Sequence, residues 1–141
     1  MLRGMKAITF SVAGDPVPQP RARITTRGKF AHAYTPKKHP VHAYRQAILA
    51  AAIDAGLSIT TTPIEVIIVA AFMRPKSHLT KQGVKATAPA LPRPDVDNIA
   101  KAVLDSLKDL FDDTIVSRLV IEKTYGDKAC TIVQVRDKVP L

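Results

Sequence analysis

The order of apolar and polar residues divides the first half of the chain into three regular segments. Residues 6–12, KAITFSV, alternate between the two classes and predict a β-strand. Residues 40–55 carry apolar side chains at helical spacing, and Gly56 after them predicts the end of a helix. Residues 64–73, IEVIIVAAFM, form an unbroken apolar run rich in β-branched residues, which is typical of a central strand covered on both faces.

The second half of the chain predicts another helix and a β-hairpin. Residues 96–109 place apolar side chains on one helical stripe, with charged side chains on the opposite side. Residues 114–126 and 129–137 alternate on either side of Gly126-Asp127, which indicates two paired strands joined by a turn. The predicted order is β-α-β-α-β-β, an α+β fold with two main helices on a mixed sheet. The 141 residues are expected to form a single domain.

Two long segments between these elements, 14–36 and 74–94, are rich in proline and basic residues and predict flexible loops. The net charge is +9, yet residues 16–45 and 66–94 contain no acid. Stretches of one sign are uncommon on surfaces whose charges serve only solubility, where the signs mix. They favour a polyanionic partner, with nucleic acid first and an anionic membrane surface second.

Composition excludes several other classes of protein. The single cysteine, Cys130, rules out an internal disulfide and a zinc site built on several thiolates, and it indicates a reducing, cytoplasmic setting. The longest apolar run, residues 66–73, is too short to span a bilayer, and residues 1–13 lack the apolar block of a signal peptide. We therefore expect a soluble protein that does not span a membrane, and we expect nucleic acid, not a membrane, as its partner.

Negative charge is concentrated in residues 93–113, RPDVDNIAKAVLDSLKDLFDD, which contain six of the twelve acidic residues. Pro94 places Asp95 in or before the N-cap of the second helix, so its carboxylate can turn towards that of Asp97. Lys101 follows Asp97 by about one helical turn on the same face. Helix capping and an ordinary Asp97–Lys101 pair would also explain these residues.

Asp112 and Asp113 are harder to explain by capping, because acidic residues just past a helix C-terminus oppose the helix dipole. Carboxylates placed against this preference suggest ligands for Mg²⁺ or Mn²⁺, which favour carboxylate and water oxygens. Such an ion can activate water and neutralise charge on a phosphodiester, and a nearby Lys101 can stabilise the phosphate. The acids are then expected to hold the cation that joins a basic protein to a polyanionic substrate.

The length of the second helix limits how these carboxylates can meet. A helix over residues 97–109 is about 18 Å long, whereas four extended residues return at most about 14 Å. Asp113 therefore reaches Asp97 of its own chain only if the helix is short or bent. A two-fold dimer could instead bring Asp113 of one subunit to Asp95 and Asp97 of the other, and we slightly favour a site at or near a dimer interface.

At these residues the chain resembles the RusA family of Holliday junction resolvases, endodeoxyribonucleases often carried by phages and prophages. The resemblance lies in RPDVDNIAKAVLDSL, in LFDDTIVSRLVIEKTYG and in the proline- and arginine-rich GDPVPQPRAR. It implies a RusA-like homodimer that resolves four-way junctions in DNA recombination and repair by paired symmetrical nicks. It also implies Mg²⁺ as the cofactor, with Mn²⁺ able to substitute.

The resemblance implies roles for individual residues as well. The catalytic carboxylates fall on Asp95, Asp97 and Asp113, with Asp112 as an acidic neighbour among the metal ligands, and the essential lysine falls on Lys101. In this interpretation the DNA backbone is contacted by basic residues, namely Arg21, Arg23, Arg27, Lys29, Lys37, Lys38 and Arg93. Two alternatives stay open. One is a non-enzymatic nucleic-acid-binding module whose acids only cap a helix. The other is a small-molecule phosphohydrolase, which would leave the basic loops without a purpose.

Overall fold

The sheet at the centre of the protein is built from four long strands. The structure, a computed structural model, describes residues 7–26, 28 and 31–138. Within this part of the chain the α-helices are α1 (Val41–Asp54) and α2 (Val96–Ser106). The strands are β1 (Ala7–Ala13), β2 (Arg23–Thr25), β3 (His32–Tyr34), β4 (Ile64–Phe72), β5 (Leu79–Thr80), β6 (Gly83–Val84), β7 (Val116–Tyr125) and β8 (Cys130–Asp137). Two 3₁₀ turns, Lys76–His78 and Asp113–Ile115, precede β5 and β7. The prediction of a single α+β domain with two main helices is confirmed.

Strand β4 lies inside the main sheet, whose order is β1-β8-β4-β7. β8 runs antiparallel to β1 and β4, whereas β7 runs parallel to β4, so the sheet is mixed as predicted. The predicted hairpin of β7 with β8 is wrong, because these strands flank β4 on opposite sides. Their connection crosses the end of β4, where the Gly126 amide donates to the Phe72 carbonyl at 2.8 Å. In this arrangement the apolar strand β4 gains hydrogen-bonding partners along both edges, which a local hairpin would not provide.

Both helices pack on one face of this sheet. Val66 and Ile68 of β4 are fully buried there with Ile48 of α1 and Val103 of α2. On the other face Ile67 is only partly buried. The predicted cover over β4 is therefore confirmed for the helix face and is incomplete on the other face. A solvated second face is common in sheets with antiparallel neighbours. Neither helix in the described part of the chain is long and apolar enough to cross a membrane.

Helix α2 begins where the sequence predicts but ends at Ser106, before the predicted residue 109. Leu107 leaves the helical conformation, with φ −102° and ψ 7°. The turn that follows buries Leu110 and Phe111, and each of their amides donates to the Leu107 carbonyl. Burying a large apolar side chain contributes about 1.5–3 kcal/mol. The turn obtains this stabilisation without leaving the two amides unbonded, which explains why the helix stops early.

The two segments predicted as loops contain short paired strands. β2 pairs with β3 inside residues 14–36, and β5 pairs with β6 inside residues 74–94. Their flexibility stays a prediction. Of the basic residues predicted to contact DNA, Arg27 and Lys29 lie outside the described residues, and only the backbone of Arg23 is described.

Candidate active site

The carboxylate of Asp95 lies at the start of α2 without capping it. Asp95 occupies the N-cap with an extended backbone, φ −70° and ψ 140°, as predicted from the preceding Pro94. Its carbonyl accepts a bond from the Ile99 amide at 3.2 Å. Its side chain is exposed and makes no hydrogen bond or ion pair within the described chain. The capping alternative therefore does not account for this carboxylate, which is available to an external ligand.

Asp97, two residues further on, has a partial capping role. Its Oδ1 accepts a bond from the Asn98 amide at 2.9 Å. That amide is one of the helix-start donors that have no partner inside the helix. An ionised carboxylate accepts several bonds through its two oxygens, so Asp97 keeps capacity for a further ligand. Capping and ligand binding are thus compatible at this residue.

Asp97, Lys101 and Asp113 line one groove on the surface of a single chain. The groove has a volume of about 390 Å³ and lies between α2 and β7. Its remaining lining is apolar and consists of Val96, Ala100, Leu104, Leu119 and Ile121. The 11 residues of α2 are about 16 Å long, and the turn after Ser106 brings the chain back to Asp113. The short helix therefore satisfies the condition under which both carboxylates belong to one chain.

Lys101 and Asp113 carry charges that the described part of the chain leaves unpaired. Neither side chain makes an ion pair or a hydrogen bond with another described residue, and both are exposed. The ordinary pair of Asp97 with Lys101, which would have explained the lysine by helix stability alone, is not formed between these residues. The groove consequently presents a cation and two carboxylates that are open to a ligand.

Asp112 and Asp105 have structural partners instead. Asp112 is the N-cap of the second 3₁₀ turn, where its Oδ1 accepts a bond from the Thr114 amide at 2.9 Å. Hydrogen bonding from Thr114, with a smaller contribution from the charge of Lys108, lowers the pKa of the Asp112 carboxyl. Asp105 lies 3.2 Å from Lys108 and 3.8 Å from Arg45. A residue that follows one helix can cap the next turn, and this role explains the position of Asp112 despite the unfavourable dipole of α2.

The chain matches the family model described as "Endodeoxyribonuclease RusA" over residues 13–136. The chain belongs to the RusA endodeoxyribonuclease family. It is also similar to a protein of Bacillus subtilis (strain 168) named "Uncharacterized protein YqaN", at 31% identity over 140 residues, which cover 94% of this chain and 98% of that protein. The family membership predicted from the sequence motifs is confirmed, and with it the class of nuclease.

The acidic residues of this RusA-family chain fit a magnesium-type site better than a cage made only of protein ligands. Among the residues that the structure describes, no three His, Cys, Asp or Glu side chains form a ready metal-binding cluster. Mg²⁺ usually keeps several waters and is bound through one or two carboxylates together with substrate phosphates. Asp97 and Asp113 in the groove, with Asp95 at the helix start, carry oxygen donors of the type that such an ion would use.

The proline-rich loop of this RusA-family chain is attached to the first turn of α2. The Gln19 amide donates to the Asn98 carbonyl at 2.8 Å, and the Gln19 side chain accepts a bond from Arg45. Arg45 also pairs with Asp105, so the loop and the helix share one polar network. Four of the basic residues predicted to contact DNA are exposed, namely Arg21, Lys37, Lys38 and Arg93.

Sequence reasoning missed the contacts that join the second basic loop to the end of β7. The guanidinium of Arg74 lies 4.2 Å from the centre of the Tyr125 ring. The Nζ of Lys123 donates to the Pro94 carbonyl at 2.9 Å. Residues 123–126, KTYG, supply both contacts from the strand side. This motif was visible in the sequence, but its partners were not, because they lie in a separate loop.

Proposed function

We propose that this protein is a divalent-metal-dependent endodeoxyribonuclease that resolves four-way DNA junctions by paired symmetrical nicks in recombination and repair. The observation that carries the proposal is the groove shared by Asp97, Lys101 and Asp113 in a member of the RusA family. Asp95 directly precedes the groove residue Val96 and has an exposed carboxylate. These are the residue types that metal-assisted hydrolysis of a phosphodiester requires.

The proposed site divides the work between carboxylates and a lysine. Asp95, Asp97 and Asp113 would hold Mg²⁺ or Mn²⁺ through their oxygens. A bound ion supplies a water of lowered pKa and polarises the phosphate under attack. The ammonium of Lys101, which lines the same groove, would stabilise the negative charge that develops on the phosphate oxygens.

Exposed basic residues would bind the DNA strand that enters the site. Arg21, Lys37, Lys38 and Arg93 are exposed, and Arg23, Arg27 and Lys29 are included on sequence grounds. Contacts from such residues to phosphates position the DNA and carry no sequence information directly. Each neutralised phosphate releases counterions, so binding should weaken steeply as salt rises. We place this work in the cytoplasm, where chromosomal and phage DNA are found.

A homodimer would supply the two sites that paired nicks need. Val96 and Leu119 line the groove from α2 and β7 and are 37% and 40% exposed. β7 is also an edge strand of the main sheet. Apolar surface beside an open strand edge favours contact with another chain. We therefore place the two-fold dimer interface beside the groove, with one active site on each subunit near that interface.

The test is cleavage of a synthetic four-way junction labelled on each strand in turn. Paired nicks in opposite strands are expected with Mg²⁺ or Mn²⁺, and none with EDTA or on the linear duplex of the same sequence. Asparagine substitutions of Asp95, Asp97 and Asp113 should each lose this cleavage. Asp109→Asn is their matched control and should cleave normally, because Asp109 is an exposed acid of the same segment that does not line the groove.

The other outcomes of this test identify the alternatives. Tight junction binding with no metal-dependent cleavage would overturn the nuclease assignment for this chain and favour a non-enzymatic binding module. Hydrolysis of a small phosphate ester without cleavage of any DNA would favour the phosphohydrolase.

A further inference from the structure

The peptide groups on both sides of Asp95 are held by hydrogen bonds. On one side, the Pro94 carbonyl accepts a bond from the Nζ of Lys123 at 2.9 Å. On the other, the carbonyl of Asp95 itself accepts a bond from the Ile99 amide at 3.2 Å. Each peptide group is planar, and the two planes meet at the Cα of Asp95. Fixing both planes restricts the directions in which the Asp95 carboxylate can project.

Lys123 reaches this point from strand β7. Leu119, Ile121 and Lys123 alternate onto one face of the strand, and the first two line the groove together with Asp97. Lys123 is half-buried, and among the described residues its ammonium donates a hydrogen bond only to the Pro94 carbonyl. Helix stability alone does not explain this placement, because the helix dipole disfavours a cation near the N-terminus.

We infer that Lys123 is a positioning residue for Asp95. Its ammonium holds the peptide group between Pro94 and Asp95, and the Asp95 carboxylate is thereby kept in the orientation in which it binds metal. The inference rests on the proposed function, in which Asp95 is a metal ligand. Lys123 acts through Asp95 in this role and does not itself touch the metal. A ligand whose backbone is already fixed loses less conformational freedom when the ion binds, so metal affinity is higher.

Titration of the full-length protein with Mn²⁺, followed by electron paramagnetic resonance of the free ion, tests the inference without DNA. Lys123→Met keeps most of the apolar stem and removes the donor, and it should weaken Mn²⁺ binding about tenfold or more. Lys123→Arg keeps a donor and should recover most of the affinity. Lys128→Met is the matched control, because it removes a lysine charge from the turn after β7, where Lys128 has no hydrogen bond or ion pair to a described residue.

The double variant Asp95→Asn/Lys123→Met separates action through Asp95 from a general effect. If Lys123 acts through Asp95, the double variant binds Mn²⁺ no more weakly than Asp95→Asn alone. Equal losses in both backgrounds, or unchanged affinity in Lys123→Met, would overturn the inference and leave the proposed function standing. Unchanged affinity in Asp95→Asn would instead remove Asp95 from the metal site, and the inference would fall with it. Circular dichroism checks the fold of each variant, and Lys123→Ala replaces Lys123→Met if the latter does not fold.

Discussion

Asp97 on helix α2 and Asp113 in the following 3₁₀ turn line the same groove of one chain. They do so because α2 ends at Ser106 and the chain turns back to bury Leu110 and Phe111. A helix continued to residue 109 would have carried the chain further from Asp97 before it could return. The two carboxylates are therefore available to one site without a contribution from a second chain.

The substitution Asp97→Asn should abolish cleavage and preserve junction binding. It removes a proposed metal ligand, and it also removes a negative charge that repels phosphate. We expect the single-turnover cleavage rate to fall at least about 100-fold, with affinity for the junction in Ca²⁺ unchanged or higher. A gel-shift titration beside the cleavage assay measures both. Loss of junction binding in a correctly folded variant would count against Asp97 as a metal ligand.

Replacing Lys101 with alanine should lower the cleavage rate far more than the affinity. A donor that stabilises charge only in the transition state contributes roughly 10²–10³-fold to the rate, whereas one lost phosphate contact changes binding little. Lys108→Ala is a suitable control, since Lys108 is exposed just after α2 and pairs with Asp105. Equal losses of rate and affinity in Lys101→Ala would identify Lys101 as a DNA-binding residue only.

Mixing Asp97→Asn subunits with Asp113→Asn subunits distinguishes a site within one chain from a site shared across the proposed dimer. In a heterodimer with sites inside each chain, both sites carry one defect, and no nicking should return. In a shared arrangement, one site carries both defects and the other is intact. We expect no recovery, measured as nicking of each labelled junction strand. Nicking of one strand per junction by the mixture would show that the carboxylates come from both subunits.

Asp112 and Asp113 should respond differently to substitution by asparagine, although they are adjacent. Asp112→Asn removes the carboxylate charge from the cap of the 3₁₀ turn, so thermal stability should fall while cleavage is largely retained. Asp113→Asn should strongly reduce cleavage and leave thermal stability largely unchanged. Because the pKa of Asp112 is lowered in the folded state, its contribution is present at neutral pH and is lost as pH falls through that lowered pKa. Thermal melts at neutral and acidic pH measure this, and a pH-independent difference from the unsubstituted protein would contradict it.

Glu65 is expected to make folding stability depend on acidic pH. This buried carboxylate lies 2.7 Å from Arg136, 3.6 Å from Arg118 and 3.9 Å from Lys138. The hydrogen bond from Arg136, together with the surrounding positive charges, lowers the pKa of Glu65 from its ordinary value of 4.5. A lowered folded-state pKa contributes stability that is present above the ordinary value and is lost as pH falls through the folded value.

The substitution Glu65→Gln should therefore lower the melting temperature at pH 7. The difference from the unsubstituted protein should shrink as pH is reduced below about 4.5, the ordinary pKa of a glutamate. Glu122→Gln is the matched control, because Glu122 is exposed on β7 and makes no ion pair or hydrogen bond with a described residue. A constant difference from pH 7 to pH 3 would show that the ion pairs do not cause the effect.

Local patterns predicted the elements well and their pairing poorly. Alternation located β1, helical spacing with Gly56 located α1, and the unbroken apolar run located β4. The N-cap conformation of Asp95 followed from Pro94. The turn residues Gly126 and Asp127 indicated a hairpin that does not form. A turn signal describes a few neighbouring residues. The partner of a strand depends instead on which strand edges in the whole sheet still have unpaired backbone hydrogen-bonding groups.

The sequence by itself determined the types of the main elements, the membership of the RusA family, and the concentration of acids around the second helix. These follow from periodicity, capping preferences and motif spacing, which are properties of neighbouring residues. Only the tertiary structure decided that α2 ends at Ser106, that Asp105 pairs with Arg45, and that Lys123 bonds to Pro94. Such contacts join residues far apart in the chain, and their free energy depends on burial and distance after folding, which no local pattern contains.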